Sequence, residues 1–188
     1  MDVEAPSGGN ERLNKLVAVT VVAISVFMAL CSVKSGNIGQ NMALAKADAV
    51  DTWSEYQATR LKLHMAENSL SALALSAAET GANATLVAAE KDRLEKAVAR
   101  YEAKSRTLMG QARGHEEDYT TLNVHDDQFD MSDAFMSIAL AIAAVTVFVN
   151  LEWMLYVAWG FAAVGFIMGG AGFLGLNLHS DFIANLLG

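Results

Sequence analysis

A run without a single charge, LVAVTVVAISVFMALCSV, extends from Leu16 to Val33. As a helix rising about 1.5 Å per residue, it is long enough to cross the hydrocarbon core of a bilayer. Two further apolar runs follow late in the chain: AFMSIALAIAAVTVFV, from Ala134 to Val149, and WMLYVAWGFAAVGFIMGGAGFLGL, from Trp153 to Leu176. Only NLE, residues 150–152, separates them, and a link that short makes residues 134–176 an antiparallel transmembrane hairpin. Trp153, Tyr156 and Trp159 suit an interfacial aromatic belt at that end.

The first run has a rival reading as a cleaved secretory signal, because Arg12 and Lys15 precede an apolar core. No A-x-A site follows it, and MALC carries leucine where a lipoprotein signal needs a small residue. We expect an uncleaved anchor over residues 16–36 behind a short flexible tail, 1–15. The chain as a whole is 53% hydrophobic and 18% charged, with one proline. Its middle is dominated by Ala, Leu, Glu and Lys, which favours helix, and β-rich segments bounded by turn residues are few. A formal charge of −8 argues against a nucleic-acid partner, since phosphates need clustered Lys and Arg. The single cysteine, Cys31, excludes an intrachain disulfide framework and a cysteine-based zinc site.

Between the first and second runs lies a polar region, residues 37–122. From Ile38 to Ala77 the apolar and small residues recur at alternating steps of three and four, through Met42, Ala45, Ala49, Tyr56, Leu63, Leu70 and Leu73. No charge falls on this seam, whereas Lys46, Asp51, Glu55, Lys62 and Glu67 fall off it. Such a stripe is the mark of a coiled coil. The same register read backward passes through Cys31, Ile24 and Val17, so the first span is predicted to continue into the polar helix without a break. ETGANAT marks a turn near 79–84, with Gly81 able to take a left-handed cap and Thr80 or Asn83 able to cap the next helix. A second helix then follows from about Ala84 to Leu122, with a weaker seam of Ala84, Val87, Lys91, Leu94, Val98, Tyr101, Ser105, Leu108, Ala112, His115, Tyr119 and Leu122, since Lys91 and His115 fall on it. The two arms are each about 60 Å long and return the chain to one membrane face. The predicted fold class is therefore an all-α membrane protein: three transmembrane helices with a long antiparallel coiled-coil helical hairpin between the first and second.

A hairpin turning near Gly81 brings Trp53 near Gly110 and Ala49 near Gly114. Glycine in mid-helix costs about 1 kcal/mol against alanine. Two readings of Gly110 and Gly114 stay open: a seat for the bulky Trp53, or a local break in the second arm.

HDDQFDMSDAF then leads into the second span. The stretch 123–133 reads as an acidic juxtamembrane linker. Asp130 or Ser132 is placed to cap the span, and Asp133 lies in its first turn, where carboxylates face the positive end of the helix dipole. His125, Asp126, Asp127 and Asp130 are the candidate ligands of a divalent metal such as calcium, but no EF-hand spacing supports them, and a solvated linker is the favoured reading. No lysine or arginine follows Arg113, while Arg12 and Lys15 precede the first span. That asymmetry favours a cytoplasmic N terminus and a periplasmic hairpin.

Ala134, Ser137, Ala141 and Ala144 form a small-residue seam on the second span, and Gly165, Gly169 and Gly172 give the third a close-approach face. These faces either build an oligomer or join the two spans within one chain. Ionisable residues are absent from the spans, which argues against a transporter or pump. The tail 177–188 places Phe182, Ile183, Leu186 and Leu187 on a short interfacial helix. No nucleophile elbow, phosphate loop, dinucleotide fingerprint or His/Cys ligand spacing occurs, so we expect no cofactor and no enzyme. NAT at 83–85 matches a glycosylation sequon but reads as a helix cap, and Cys31 reads as a small apolar residue rather than a dimer cross-link.

The segments ERLNKLVAVTVVAISVFMALCSVK, AKADAVDTWSEYQA, LNVHDDQFDMSDA and GGAGFLGLNLHSD together resemble a bacterial family of small three-span membrane proteins known only as a domain of unknown function. The resemblance covers nearly the whole chain and implies an inner-membrane setting, without catalytic residues. Relatives often carry basic residues between the second and third spans, where this chain has NLEW. The expected function is that of a non-enzymatic, self-associating membrane protein, in contact with lipid and with itself or other membrane subunits, serving as scaffold or accessory subunit. The alternative is a sensory input module that signals through a separate output partner. The first-arm seam motivates self-association, so charges at Leu63 and Leu70 are expected to dissociate it.

Overall fold

The computed structural model describes residues 10–80 and 84–176. They form three helices: α1 (Glu11–Thr80), α2 (Ala84–Val149) and α3 (Glu152–Leu174). Each is long and apolar enough over part of its length to cross a membrane. Among the described residues there is no strand. The caps proposed at Gly81 and Asn83, the tail 177–188 and most of the tail 1–15 lie outside the described residues.

The chain divides into two compact units. One comprises residues up to Met42 together with those from Thr120 onward; the other is Ala43–Tyr119.

The first unit packs the early part of α1, the late part of α2 and all of α3. Asn10 caps α1, its side-chain oxygen accepting from the Leu13 N–H at 3.3 Å. Each helix buries one stripe: Leu13, Val17, Ile24 and Cys31 from α1, Met136, Ala139 and Ala143 from α2, and Leu155, Ala158 and Ala162 from α3. The α2–α3 connection is tight. Asn150 adopts φ 58°, a left-handed conformation that asparagine tolerates, and its N–H reaches the Thr146 carbonyl at 2.9 Å to end α2. Asn10 Nδ2 donates to Glu152 Oε1 at 2.6 Å, tying the start of α1 to that connection. α3 ends at Gly175, φ 66°, where the Leu176 N–H closes on the Ala171 carbonyl at 3.0 Å.

The second unit consists of the remaining parts of α1 and α2. Along α1, Ala45, Ala49, Thr59, Leu63 and Ala66 are buried, and Thr52, Tyr56, Leu70 and Leu73 are half-buried on the same stripe. α2 answers with Leu94, Ser105, Leu108 and Ala112 buried and Val87, Val98, Tyr101 and Tyr119 half-buried. Ala84 and Lys91, read onto that stripe from sequence, are exposed. Lys104 pairs with Glu55 at 2.7 Å, and Trp53 Nε1 donates to Glu116 Oε1 at 2.9 Å.

Two expectations are corrected. The 123–133 stretch is not a linker: α2 runs through it, so Leu122 ends nothing and neither Asp130 nor Ser132 is a cap. No proline or glycine interrupts the chain between Gly114 and Gly160, and Gln128, Phe129, Met131 and Ser132 are buried there, which holds the segment helical. Secondly, a Cβ at Gly110 or Gly114 would meet nothing within 4 Å, so Trp53 is not seated over them, and α2 does not break there either.

Candidate functional site

The most closely packed part of the first unit is built on the third-helix glycines. A Cβ on Gly165 would lie 2.7 Å from Met136 Cγ. On Gly169 it would lie 2.7 Å from Ser132 Oγ, 2.8 Å from Phe27 Cε1 and 3.0 Å from Cys31 Sγ. On Gly172 it would meet the Phe129 ring at 2.9 Å. The missing side chains thus let α3 approach α1 and α2 together. Ser132 Oγ donates to the Gly165 carbonyl at 2.8 Å, a bond possible only at that distance, and Cys31 Sγ lies 3.9 Å from the same hydroxyl. Aromatic rings seal the joint, with Phe27 against Phe166 at 4.5 Å between centroids and Phe129 edge-on to Phe173 at 5.2 Å. Gln128, fully buried, donates through Nε2 to the Leu176 carbonyl at 2.7 Å, so a side chain of α2 holds the end of α3.

The sequence-predicted faces separate here. Gly165, Gly169 and Gly172 pack within the chain. The seam on the second span does not: Ser137, Ala141 and Ala144 are exposed and Ala134 is half-buried. The buried stripe of α2 is instead Phe129, Ser132, Met136, Ala139, Ala143 and Thr146. Its phase is set by Phe129 and Ser132, which the linker reading had removed from the helix. The signal was present in the register, because steps of three and four carry the Leu122 seam onward through Asp126, Phe129, Ser132 and Met136.

The acidic residues line one edge of this joint. Ser35 Oγ donates to Asp126 Oδ1 at 2.7 Å, linking α1 to α2. Asp127 accepts from Asn123 Nδ2 at 3.3 Å, and His125 lies 3.5 Å from Gln128 Oε1. A cavity of about 130 Å³ is lined by Cys31, Ser32, Ser35, Phe129, Asp130 and Asp133. Burial raises the Asp130 carboxyl above the ordinary aspartate range, and the charges of Asp126, Asp127 and Asp133 add to the rise. Among the described residues, no three His, Cys, Asp or Glu side chains converge as metal ligands would. The candidates His125, Asp126, Asp127 and Asp130 follow one another along a helix, and three of them already face Gln128, Ser35 and Asn123.

In the second unit, Met42's neighbours along the seam come together as one covered face. Ala49 and Leu63 are 4% and 2% exposed within the single chain, and Tyr56, Leu70 and Leu73 are half-buried. Met42 itself packs in the first unit against the cluster of Cys31, Ile38 and Phe129. Leu63 is therefore spent on intramolecular packing and is not free to hold a second copy.

In comparison with known proteins, the family model described as a domain of unknown function, DUF4337, aligns with residues 13–175. No curated protein matches the chain, and no solved structure matches it.

Proposed function

The chain belongs to the DUF4337 family, a domain of unknown function, and from that premise we propose that it is a non-enzymatic, self-associating membrane protein serving as scaffold or accessory subunit of a larger membrane assembly. Its setting in this reading is a bacterial inner membrane, with Arg12 and Lys15 on the cytoplasmic side and the second unit periplasmic. The arms of that unit form an antiparallel coiled-coil hairpin. Support comes from their contacts, in which Lys46 lies over the Tyr119 ring, Trp53 meets Glu116 and Glu55 meets Lys104, so rising numbers in one arm meet falling numbers in the other. The observation that carries self-association is apolar surface left uncovered in this polar unit: Leu44, Leu61, Met65 and Leu75 are each 61–67% exposed. Leu61 and Met65, one helical turn apart, make an apolar patch of the kind a partner covers.

The test is the native mass and composition of the tagged full-length protein, extracted from its own membranes into lipid nanodiscs. A complex of several copies, or of this chain with a stoichiometric membrane companion, is expected. A single chain without a companion would reject the reading.

A further inference from the structure

We propose that the cleft between the starting halves of α1 and α3 holds an aminophospholipid, a lipid whose headgroup carries a phosphate and a primary ammonium. Arg12 takes the phosphate, Glu152 takes the ammonium, and one acyl chain lies in the apolar groove that follows. The site lies within one chain and does not depend on self-association.

α1 and α3 run parallel, because rising numbers in one meet rising numbers in the other: Asn10 bonds Glu152, Trp159 bonds Thr20, and Phe27 packs on Phe166. Gly169 draws the two helices together beside Phe27 and Cys31. Nearer their starts they leave two cavities that share Trp159 as a wall. The first, about 110 Å³, is lined by Arg12, Glu152 and Tyr156 among others. The second, about 340 Å³, is an open groove between Val19 and Ala23 of α1 and Ala163 and Phe166 of α3, where the two alanines leave room. Trp159 Nε1 donates to Thr20 Oγ1 at 3.0 Å, and that hydroxyl donates to the Leu16 carbonyl at 2.8 Å, so the indole is fixed in place with its N–H satisfied. The polar cavity lies ahead of the charge-free run that starts at Leu16, and the groove lies within that run. Arg12 to Ala23 covers about 16 Å along α1, close to half of the roughly 30 Å hydrocarbon core. Polar end and groove together therefore have the depth of one leaflet, and so of one phospholipid.

Charge identifies the headgroup. Arg12 and Glu152 line one cavity without pairing with each other, and among the described residues Arg12 has no carboxylate partner, whereas its neighbour Lys15 is taken by Glu11. Glu152 accepts from Asn10 through Oε1, and a carboxylate has lone pairs for further donors. A guanidinium forks onto two phosphate oxygens, and a carboxylate accepts from an ammonium. The side-chain charges of Glu11, Arg12, Lys15 and Glu152 cancel, which suits a zwitterion. An anionic headgroup would satisfy Arg12 and set Glu152 against a like charge. A quaternary ammonium has no N–H to give Glu152. A primary ammonium beside a phosphate satisfies both residues. Tyr156, exposed and edge-on to Trp159 at 5.7 Å between centroids, belongs at headgroup level as interfacial aromatics do.

The experiment uses the full chain in detergent, titrated with phosphatidylethanolamine, phosphatidylcholine or phosphatidylglycerol, with bound lipid counted per chain by native mass spectrometry. Phosphatidylethanolamine is expected to stay bound under conditions that strip the other two. Arg12→Gln and Glu152→Gln are each expected to lower its retention roughly tenfold, the size of one charge-assisted bond. Glutamine at 152 keeps an acceptor for Asn10, so helicity is expected to hold. Lys34→Gln, at the far end of the first span, is expected to leave retention unchanged. Ala163→Phe, at an exposed position, fills the groove and is expected to lower retention with helicity unchanged. Equal retention of the three lipids, or equal retention of phosphatidylethanolamine by wild type and both charge variants, would overturn the site. Phosphatidylglycerol held as tightly, with no effect of Glu152→Gln, would overturn the ammonium contact and the proposal with it. A single chain that keeps phosphatidylethanolamine would support this site while rejecting self-association.

Discussion

Glycine has opposite meanings in the two units. In the first, a Cβ at Gly165, Gly169 or Gly172 would strike side chains of α1 or α2 at 2.7–2.9 Å. In the second, Gly110 and Gly114 face open space. The polar contacts divide the same way. Between helices of the first unit they are bonds such as Ser132 to the Gly165 carbonyl and Trp159 Nε1 to Thr20 Oγ1 at 3.0 Å. In the second unit the contacts between helices use charged groups: Lys104 pairs with Glu55, and Trp53 Nε1 donates to Glu116. Lipid tails give helices no hydrophobic reason to associate, so the spans gain contact by approaching closely and hydrogen-bonding through small groups. Where helices pack in water the solvent supplies that reason, and an apolar stripe with charges beside it suffices.

The comparison breaks first at Gly169. Alanine there must displace Ser132, Phe27 or Cys31, and moving Ser132 strains its bond to the Gly165 carbonyl. A loss of about 1–3 kcal/mol is expected, read from reversible unfolding in detergent followed by circular dichroism. An unchanged transition would mean that close approach is incidental. In the second unit the sign reverses. Gly110→Ala and Gly114→Ala each gain helix propensity and meet nothing, so stabilisation by about 1 kcal/mol per site is expected. Slower amide exchange in the second arm would show it, and faster exchange would mean that these glycines seat a partner.

Much of this division was legible in the sequence, and where it was not the cause is physical. The α1 seam keeps its three-four register from Val17 to Ala77, across the change from apolar to polar surroundings, because the buried stripe needs the same small and apolar residues in both. On α2 the same register crosses NVHDD, and local polarity was taken as the end of a helix. A helix needs only one face apolar, and there Asp126 sits on the stripe with Ser35 as its partner. The glycine face of α3 was legible as a close-approach surface, but its target was not, since Ser132 and Met136 lie on a face of α2 about one residue out of phase with Ala134, Ser137 and Ala141.

The smallest expected effect lies on the acidic edge between the two chemistries. Burial first, then the charges of Asp126, Asp127 and Asp133, raise the Asp130 carboxyl above its ordinary value. The folded chain therefore holds that proton more tightly than the unfolded chain. Stability falls as pH rises from the ordinary aspartate range through the raised value, and the penalty persists at neutral pH. Asp130→Asn removes the charge in both states, so the variant is expected to melt slightly higher than wild type at neutral pH and to lose the difference on acidification through that window. Burial of the carboxyl is only partial and the residue keeps an exposed face, so added salt screens the repulsion and shrinks the gap. A gap that persists at low pH and high salt would mean that the side chain acts by packing, and the acidic edge would then belong with the close-packed joint rather than with the charged flanks of the arms.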